Sequence, residues 1–221
     1  MTIHVVIADD EALVRSGLRL IVGAAPDIEV VGEAEDGAEA VRLVRDLEPD
    51  VVLMDVQMPI ADGIEATRRI SLTGARSHVL ILTTFNRDDY LYQAMKAGAS
   101  GYLLKSSPPE QLINAVRVIA DGDALLAPAI TRRLIDDYTN RPRPSAAPQA
   151  LNELTDRETQ VTALIASGLS NSEIAGELFV AESTVKSHIN KILTKLDARN
   201  RVQIVIMAYE AGLIQPGQNP Q

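Results

Sequence analysis

Five short apolar runs alternate with five stretches of helical periodicity along the first ~120 residues, which restricts the possible folds more than any other feature. The runs are rich in β-branched residues and cover Ile3–Ala8, Ile28–Ala34, 50–54, His78–Thr83 and 100–104. The helical stretches cover about 11–24, 37–47, 62–72, 87–97 and 108–121. This alternation predicts an α/β doubly wound, five-stranded parallel sheet. Right-handed crossovers would bring the carboxyl ends of all five strands to one edge.

Residues suited to phosphoryl chemistry follow four of these strands. Asp9 and Asp10 follow the first, Asp55 the third, Thr83 the fourth and Lys105 the fifth. Three carboxylates brought together repel one another and need a cation, and an oxygen-lined site with open positions suits Mg²⁺. The Lys105 ammonium would stabilise a transferred phosphoryl group, to which the Thr83 hydroxyl could donate. We therefore expect an acyl-phosphate site on Asp55.

Each of these residues also has a less specific interpretation. A carboxylate after a buried strand, as at Asp55, is often a helix cap or turn former. Thr83 is also typical of ordinary strand packing, and Tyr102 of a half-buried phenol. Gly63 and Gly98 are first of all turn glycines. The combination is more specific than any one member.

The segments around these positions resemble the receiver domain of bacterial two-component response regulators, from residue 3 to about 122. They read DD at 9–10, MDVQMP at 54–59, LT at 82–83 and GASGYLLK at 98–105. The resemblance implies that Asp55 is the phospho-acceptor and that Lys105 pairs with the phosphoryl group. It further implies a switch pair, Thr83 and Tyr102, and Mg²⁺ ligands that comprise Asp9, Asp10, Asp55 and the backbone carbonyl of Gln57.

The composition changes after about residue 125, which divides the chain into domains. Residues 129–138 have the spacing of a short amphipathic helix, and 141–149 carry three prolines in nine residues. We expect a receiver domain over 1–125, a linker with a possible short helix over 126–150, and a DNA-binding domain over 151–221.

The last segment has the punctuation of a small all-α helix-turn-helix domain. Thr155 to Glu158 and Ser170 to Glu173 both spell a capping box, each ahead of an apolar helical face. Gly168 between them suits a left-handed helix end. A third helix is predicted over 182–196, which completes the order of a helix-turn-helix.

One face of the third predicted helix is apolar, and the other carries groups that can bond to base edges and phosphates. The chain has a net charge of −9, so any nucleic-acid contact depends on a local group of basic residues. This group comprises Lys186, Lys191, Lys195, Arg199 and Arg201, with Asp197 as the one acid among them. An exposed polar helix is the alternative. The predicted DNA contacts are Ser183, Lys186, Ser187, Asn190, Lys191, Thr194, Lys195 and Arg199.

The sequence from 151 to about 214 resembles the LuxR-type DNA-binding domain, on the segments LTDRE at 154–158, GLSNSEIA at 168–175 and STVKSH at 183–188. The resemblance implies that helix 182–196 enters the major groove and that the last helix, about 201–211, dimerises. Ala181 departs from the Ser N-cap common in that family, and Asn190 from the Lys of some members.

Together the two resemblances imply a response regulator of the NarL/FixJ type. Its expected partners are a cognate sensor histidine kinase, double-stranded DNA and, on activation, a second copy of the chain. Two alternatives remain: a DNA-binding regulator that does not depend on phosphorylation, and a Mg²⁺-dependent aspartyl-phosphate phosphatase. The phosphatase lacks a general acid, because the residue two positions after Asp55 is Gln57. We therefore expect that the protein is not an enzyme and has no catalytic residues.

The chain has no Cys and no apolar run near the ~20 residues of a membrane span. Its amino-terminal residues lack a basic region ahead of Asp9. These features predict a cytoplasmic protein with no membrane partner and without disulfides.

Overall fold

The computed structural model describes residues 2–73, 75, 77–84, 88–121, 151, 153–198 and 200–214. The chain divides into two compact units, Met1–Leu125 and Leu126–Gln221. The predicted linker 126–150, its possible helix at 129–138 and the predicted DNA contact Arg199 lie outside the described residues. The linker bounds therefore stay a prediction.

The first unit contains one parallel sheet with helices between its strands. The strands are β1 (Ile3–Ala8), β2 (Ile28–Ala34), β3 (Val51–Asp55), β4 (His78–Thr83) and β5 (Gly101–Leu104), in the spatial order β2-β1-β3-β4-β5. The helices are α1 (Ala12–Gly23), α2 (Gly37–Leu47), α3 (Gly63–Leu72), α4 (Asp88–Ala97) and α5 (Pro109–Ala120). The predicted α/β sheet is confirmed, and β3 and β5 each begin one residue later than expected.

The central strands are buried on both faces, which explains their continuous apolar sequences. One face packs against α1 and α5 in a core that includes Ile7, Leu53, Leu80, Val116 and Ile119. The alternate strand residues point to the opposite face and are also buried. There α2 contacts β1, and α3 contacts β3. Burial on both faces fixes the register of the strands and so fixes which residues meet at their carboxyl ends.

The second unit is helical across its described residues. Its helices are α6 (Asp156–Ala166), α7 (Asn171–Leu178), α8 (Glu182–Lys195) and α9 (Arg201–Glu210). All four contribute apolar side chains to one core, among them Val161, Ile174, Val185, Ile192 and Val205. The predicted helix-turn-helix order is confirmed.

Both predicted capping boxes form and set where α6 and α7 begin. The Thr155 backbone N–H donates to Glu158 Oε2 at 2.8 Å, and the Ser170 N–H donates to Glu173 Oε2 at 2.7 Å. After α6, Gly168 takes the predicted left-handed conformation, with φ +86°.

No helix in the described parts of the chain has both the length and the apolar character needed to cross a bilayer.

Candidate functional site

The carboxyl edge of the sheet gathers the acidic residues that the sequence places after β1 and β3. Ala8 pairs with Met54 in the β1–β3 ladder, so the next residues on these two strands, Asp9 and Asp55, are neighbours. A carboxylate oxygen from each of Asp9, Asp10 and Asp55 lies within 4.8 Å of the other two. Asp9 and Asp55 are buried, whereas Asp10 is exposed.

Lys105, directly after β5, joins two of these carboxylates. Its Nζ lies 2.6 Å from Asp9 Oδ2 and 3.1 Å from Asp55 Oδ2. The three side chains are only 1 to 10% exposed, so water screens these ion pairs weakly. The backbone helps to place the ammonium, because the Lys105 N–H donates to the Thr83 carbonyl at 2.8 Å.

The charges in this cluster shift one another's ionisation. Burial raises the pKa of the Asp55 carboxyl above its usual value, the neighbouring Asp9 raises it further, and the Lys105 ammonium offsets only part of this. Burial lowers the pKa of Lys105, but its pairs with Asp9 and Asp55 outweigh that effect and leave the pKa raised. The site therefore has more buried negative charge than one lysine neutralises.

The cluster fits a divalent cation. Asp9 Oδ1 accepts from the Glu11 N–H at 3.0 Å, and Asp55 Oδ1 accepts from the Val56 N–H at 2.8 Å. Asp9 Oδ2 is buried and, apart from its ion pair with Lys105, accepts no hydrogen bond in good geometry among the described residues. Carboxylate oxygens are the ligands that hard divalent cations prefer. The three aspartates therefore form an acidic cluster able to bind such an ion.

The other predicted residues of this site surround the cluster. Thr83 and Tyr102 are each 3% exposed, on the adjacent strands β4 and β5. Gln57 is exposed, and its side-chain amide lies 3.5 Å from the Tyr90 hydroxyl. The roles of Thr83 and Tyr102 as a switch pair, and of the Gln57 carbonyl as a ligand, stay predictions.

Close backbone packing explains Gly63, the first residue of α3. A Cβ added to Gly63 would lie 1.8 Å from the Asp55 carbonyl oxygen, and the Gly63 N–H donates to the Val56 carbonyl at 2.9 Å. The sequence predicted only a turn at this position. Gly63 in fact lets α3 begin directly against the backbone of Asp55.

Arg15, a buried cation behind the acidic cluster, was not predicted from the sequence. Arg15 Nη1 donates to the carbonyl oxygen of Asp9 at 2.7 Å and lies 3.2 Å from that of Asp10. A signal was present, because Arg15 shares the buried face of α1 with Leu18 and Val22. A charged residue in an apolar stripe this close to Asp9 indicates a specific partner.

In the second unit, α8 presents the predicted polar face. Val185, Ile189 and Ile192 are buried against the domain core. The exposed side chains on the other face are Ser183, Ser187, Asn190, Lys191 and Thr194, with Lys186 half-buried beside them. Ala181 is the N-cap and provides no side-chain hydrogen bond, as its sequence implies.

Lys195 makes contacts within its own domain. Its Nζ lies 2.7 Å from Glu158 Oε2 and 3.1 Å from the Glu153 carbonyl, so it ties the end of α8 to the start of α6. The hydrogen bonds from Lys195 and from the Thr155 N–H hold the pKa of Glu158 at about 2. The ammonium is therefore bonded within the domain, and the predicted contact of Lys195 with DNA stays a prediction.

Comparison with known families matches two separate parts of the chain. Residues 5–117 match the family described as response regulator receiver domain. Residues 152–208 match the family described as bacterial regulatory proteins, luxR family.

Similar proteins align with this chain along nearly their whole length. The chain is 41% identical to the transcriptional regulatory protein LiaR of Bacillus subtilis, over 96% of this chain and 99% of that protein. It is 38% identical to the oxygen regulatory protein NreC of Staphylococcus epidermidis, again over 96% of this chain and 99% of that protein. The solved structure of the response regulator ChrA of a heme-sensing two-component system is 38% identical, with a TM-score of 0.53 over 96% of this chain and 99% of that one. The chain thus belongs to the response regulators of two-component systems, with a receiver domain followed by a LuxR-type DNA-binding domain.

Proposed function

We propose that phosphorylation of Asp55 by a sensor histidine kinase switches this response regulator, which then dimerises and binds promoter DNA through α8. The observation that carries the proposal is the position of Lys105, whose Nζ lies 2.6 Å from Asp9 and 3.1 Å from Asp55. A fixed cation beside a buried carboxylate can neutralise the charge that a phosphoryl group brings.

In the phosphorylation step, a carboxylate oxygen of Asp55 attacks the phosphorus atom of the donor. The bond from phosphorus to the imidazole nitrogen of a kinase phosphohistidine, or to the acetate oxygen of acetyl phosphate, breaks as the acyl phosphate forms. A bound Mg²⁺, held by Asp9, Asp10, Asp55 and the Gln57 carbonyl, would neutralise phosphoryl oxygens. Lys105 neutralises the remaining charge. Gln57 carries no titratable group that could serve as a general acid, so we propose no enzymatic turnover.

The acyl phosphate carries roughly two negative charges at the carboxyl edge of the sheet, where the Asp55 carboxylate carried one. The Thr83 hydroxyl is the predicted donor on β4. Tyr102 pairs with Ile81, two residues before Thr83, across the β4–β5 ladder. A hydrogen bond from Thr83 to the phosphoryl group would shift the end of β4 and the packing around Tyr102. This change is the proposed switch, because it moves the surface formed by β4 and β5.

Substitution of Asp55 tests the phospho-acceptor. Asp55→Asn should abolish acid-labile phosphate incorporation from acetyl phosphate in the presence of Mg²⁺, since an amide cannot form an acyl phosphate. Asp46→Asn, which removes an exposed carboxyl on α2, is the matched control and should label like the parent. Equal labelling of Asp55→Asn and the parent would show that the phospho-acceptor is another residue.

For dimerisation, we propose the face of α9 that points away from the core of the second unit. Val202, Ile204, Val205 and Ala208 are buried in the domain's own core. Gln203, Ile206 and Glu210 share another face and are only half-buried. Ile206→Glu should therefore reduce the dimer fraction of phosphorylated protein in analytical ultracentrifugation, whereas Leu72→Glu, at an exposed leucine on α3, should not. An unchanged dimer fraction would exclude this face.

A further inference from the structure

Arg15 is a buried cation that contacts the acidic cluster from behind. The residue is 7% exposed, and its Nη1 reaches the carbonyl oxygens of Asp9 and Asp10 at 2.7 and 3.2 Å. Both carbonyls belong to residues whose side chains form the cluster. The guanidinium is thus bonded to the backbone that carries two of the three carboxylates.

The charge of Arg15 is balanced on its other side by β2 and the residue that follows it. Nη2 donates to Glu35 Oε1 at 2.8 Å, and Nε lies 3.7 Å from Glu33 Oε2. Arg19 shares the second of these acids, since its Nη1 lies 2.5 Å from Glu33 Oε1. Burial of an arginine costs free energy unless its charge is paired and its N–H groups are bonded. Glu35 and Glu33 supply the opposite charge, although Nε makes no hydrogen bond, and Nη1 holds the two carbonyls.

Two effects of Arg15 on cation binding have opposite signs. As a positive charge Arg15 would repel a divalent cation, so loss of this charge alone would tighten cation binding. As a clamp it fixes the peptide groups of Asp9 and Asp10 and keeps their mutually repelling carboxylates in place. The first effect is small, because Glu33 and Glu35 already neutralise the charge and Glu35 is largely exposed to solvent. Loss of a residue that hydrogen-bonds to metal-binding residues and orients them typically lowers the affinity for the metal 10- to 100-fold.

We propose that Arg15 is a positioning residue for the divalent-cation site: its two carbonyl contacts set the geometry in which Asp9 and Asp10 meet Asp55. The inference rests on the proposed function, in which this cluster holds Mg²⁺ during phosphorylation of Asp55. The shape of the guanidinium matters as well as its charge. Its planar group holds several N–H donors in a fixed arrangement, whereas the ammonium of a lysine is a compact charge on a flexible chain.

The test is a titration of the full-length chain with Mg²⁺, followed by NMR, for the parent, Arg15→Met, Arg15→Lys and Arg19→Met. Both Arg15 variants should raise the Mg²⁺ dissociation constant about tenfold. Arg19→Met removes a neighbouring arginine that contacts Glu33 but neither carbonyl, and it should stay within about twofold of the parent. The rate of phosphorylation by acetyl phosphate should recover to near the parental value once Mg²⁺ is saturating, because Asp55 and Lys105 are unchanged.

Several outcomes would overturn the inference. Tighter Mg²⁺ binding by Arg15→Met would mean that Arg15 acts as a repelling charge. A parental dissociation constant for Arg15→Lys would mean that charge alone suffices, and this variant carries the test if Arg15→Met does not fold. An unchanged affinity with a rate that stays low at saturating Mg²⁺ would assign Arg15 a general structural role. Failure of the parent itself to bind Mg²⁺ would instead overturn the proposed function.

Discussion

At the scale of single residues, Ile60 has a backbone conformation that its side chain disfavours. Its φ is +66°, and the side chain is 86% exposed, so it gains little from burial. A β-branched residue in the left-handed region is strained, whereas glycine is not. Ile60→Gly should raise the free energy of unfolding of the first unit by about 1 kcal/mol in chemical denaturation. Ile60→Val keeps the branching and should leave it unchanged; equal stability of the two variants would remove strain as the explanation.

Gly63 and Gly17 give opposite predictions for the same substitution. A Cβ at Gly63 would lie 1.8 Å from the Asp55 carbonyl oxygen, whereas a Cβ at Gly17, inside α1, would meet nothing within 4 Å. Gly63→Ala should therefore cost about 1–3 kcal/mol and slow phosphorylation by acetyl phosphate, because the Asp55 backbone must move. Gly17→Ala should stabilise the unit by roughly 0.5–1 kcal/mol. A stable, rapidly phosphorylated Gly63→Ala protein would contradict the close packing.

The positions of Asp9, Asp55 and Lys105 were predictable because each lies at or directly after the end of a strand, and parallel strands end at one edge. Arg15 was not identified. Its contacts depend on where α1 begins and how it turns against β1, which the helical pattern leaves uncertain by a few residues.

At the scale of the elements, α8 begins without a side-chain cap. Ala181 has the extended backbone of an N-cap, but its methyl group can accept no hydrogen bond. The Ser170 hydroxyl at the start of α7 does accept one. Ala181→Ser should therefore raise the melting temperature of the second unit, with a gain of about 1 kcal/mol, and Ser170→Ala should lower it by a similar amount. An unchanged melting temperature for Ala181→Ser would mean that the new hydroxyl does not reach the first turn.

The contact between α6 and α8 should make the second unit sensitive to acid. Hydrogen bonds from Lys195 and the Thr155 N–H lower the pKa of Glu158 to about 2 in the folded chain. A lowered pKa contributes stability above the usual carboxyl pKa of about 4.5, and that stability is lost as pH falls toward 2. Glu158→Gln should reduce the loss of stability between pH 4.5 and 2, measured from NMR signals of the second unit during denaturation. An unchanged pH profile for Glu158→Gln would assign the acid sensitivity to other carboxyls.

At the scale of the whole molecule, the fold was predictable because its signals are periodic and local. Alternating strands and helices specify the receiver sheet, and capping boxes at Thr155 and Ser170 mark the helices of the second unit. The partner of Lys195 was not predictable. Glu158 is 37 residues earlier in the sequence, and the pair depends on how α6 packs against α8. Lys195 therefore cannot be assigned to DNA from its place on a basic helix.

This pairing divides the lysines of α8 into two groups with different expected effects on DNA binding. Lys191 is exposed, whereas Lys195 is bonded to Glu158 and the Glu153 carbonyl. Lys191→Ala should weaken binding to all DNA sequences about equally and reduce the salt dependence by roughly one unit of slope, if it loses one phosphate contact. Lys195→Ala should lower the stability of the domain by about 1–3 kcal/mol and leave the salt slope unchanged. A smaller slope for Lys195→Ala would mean that its pair with Glu158 opens on DNA.

Asn190 and Ser187 are expected to read bases rather than phosphates. Both are exposed on α8, opposite the buried Val185 and Ile189, so they would face the floor of a major groove that this helix enters. Asn190→Ala and Ser187→Ala should each cost on the order of 1–3 kcal/mol on the preferred site and relax its sequence preference. A twofold dimer further requires half-sites about one helical turn apart, so a change of half a turn should reduce binding sharply. Affinities measured at one salt concentration on preferred and random DNA check both expectations. A uniform loss on both DNAs would place these residues against the backbone, because only contacts to base edges distinguish one sequence from another.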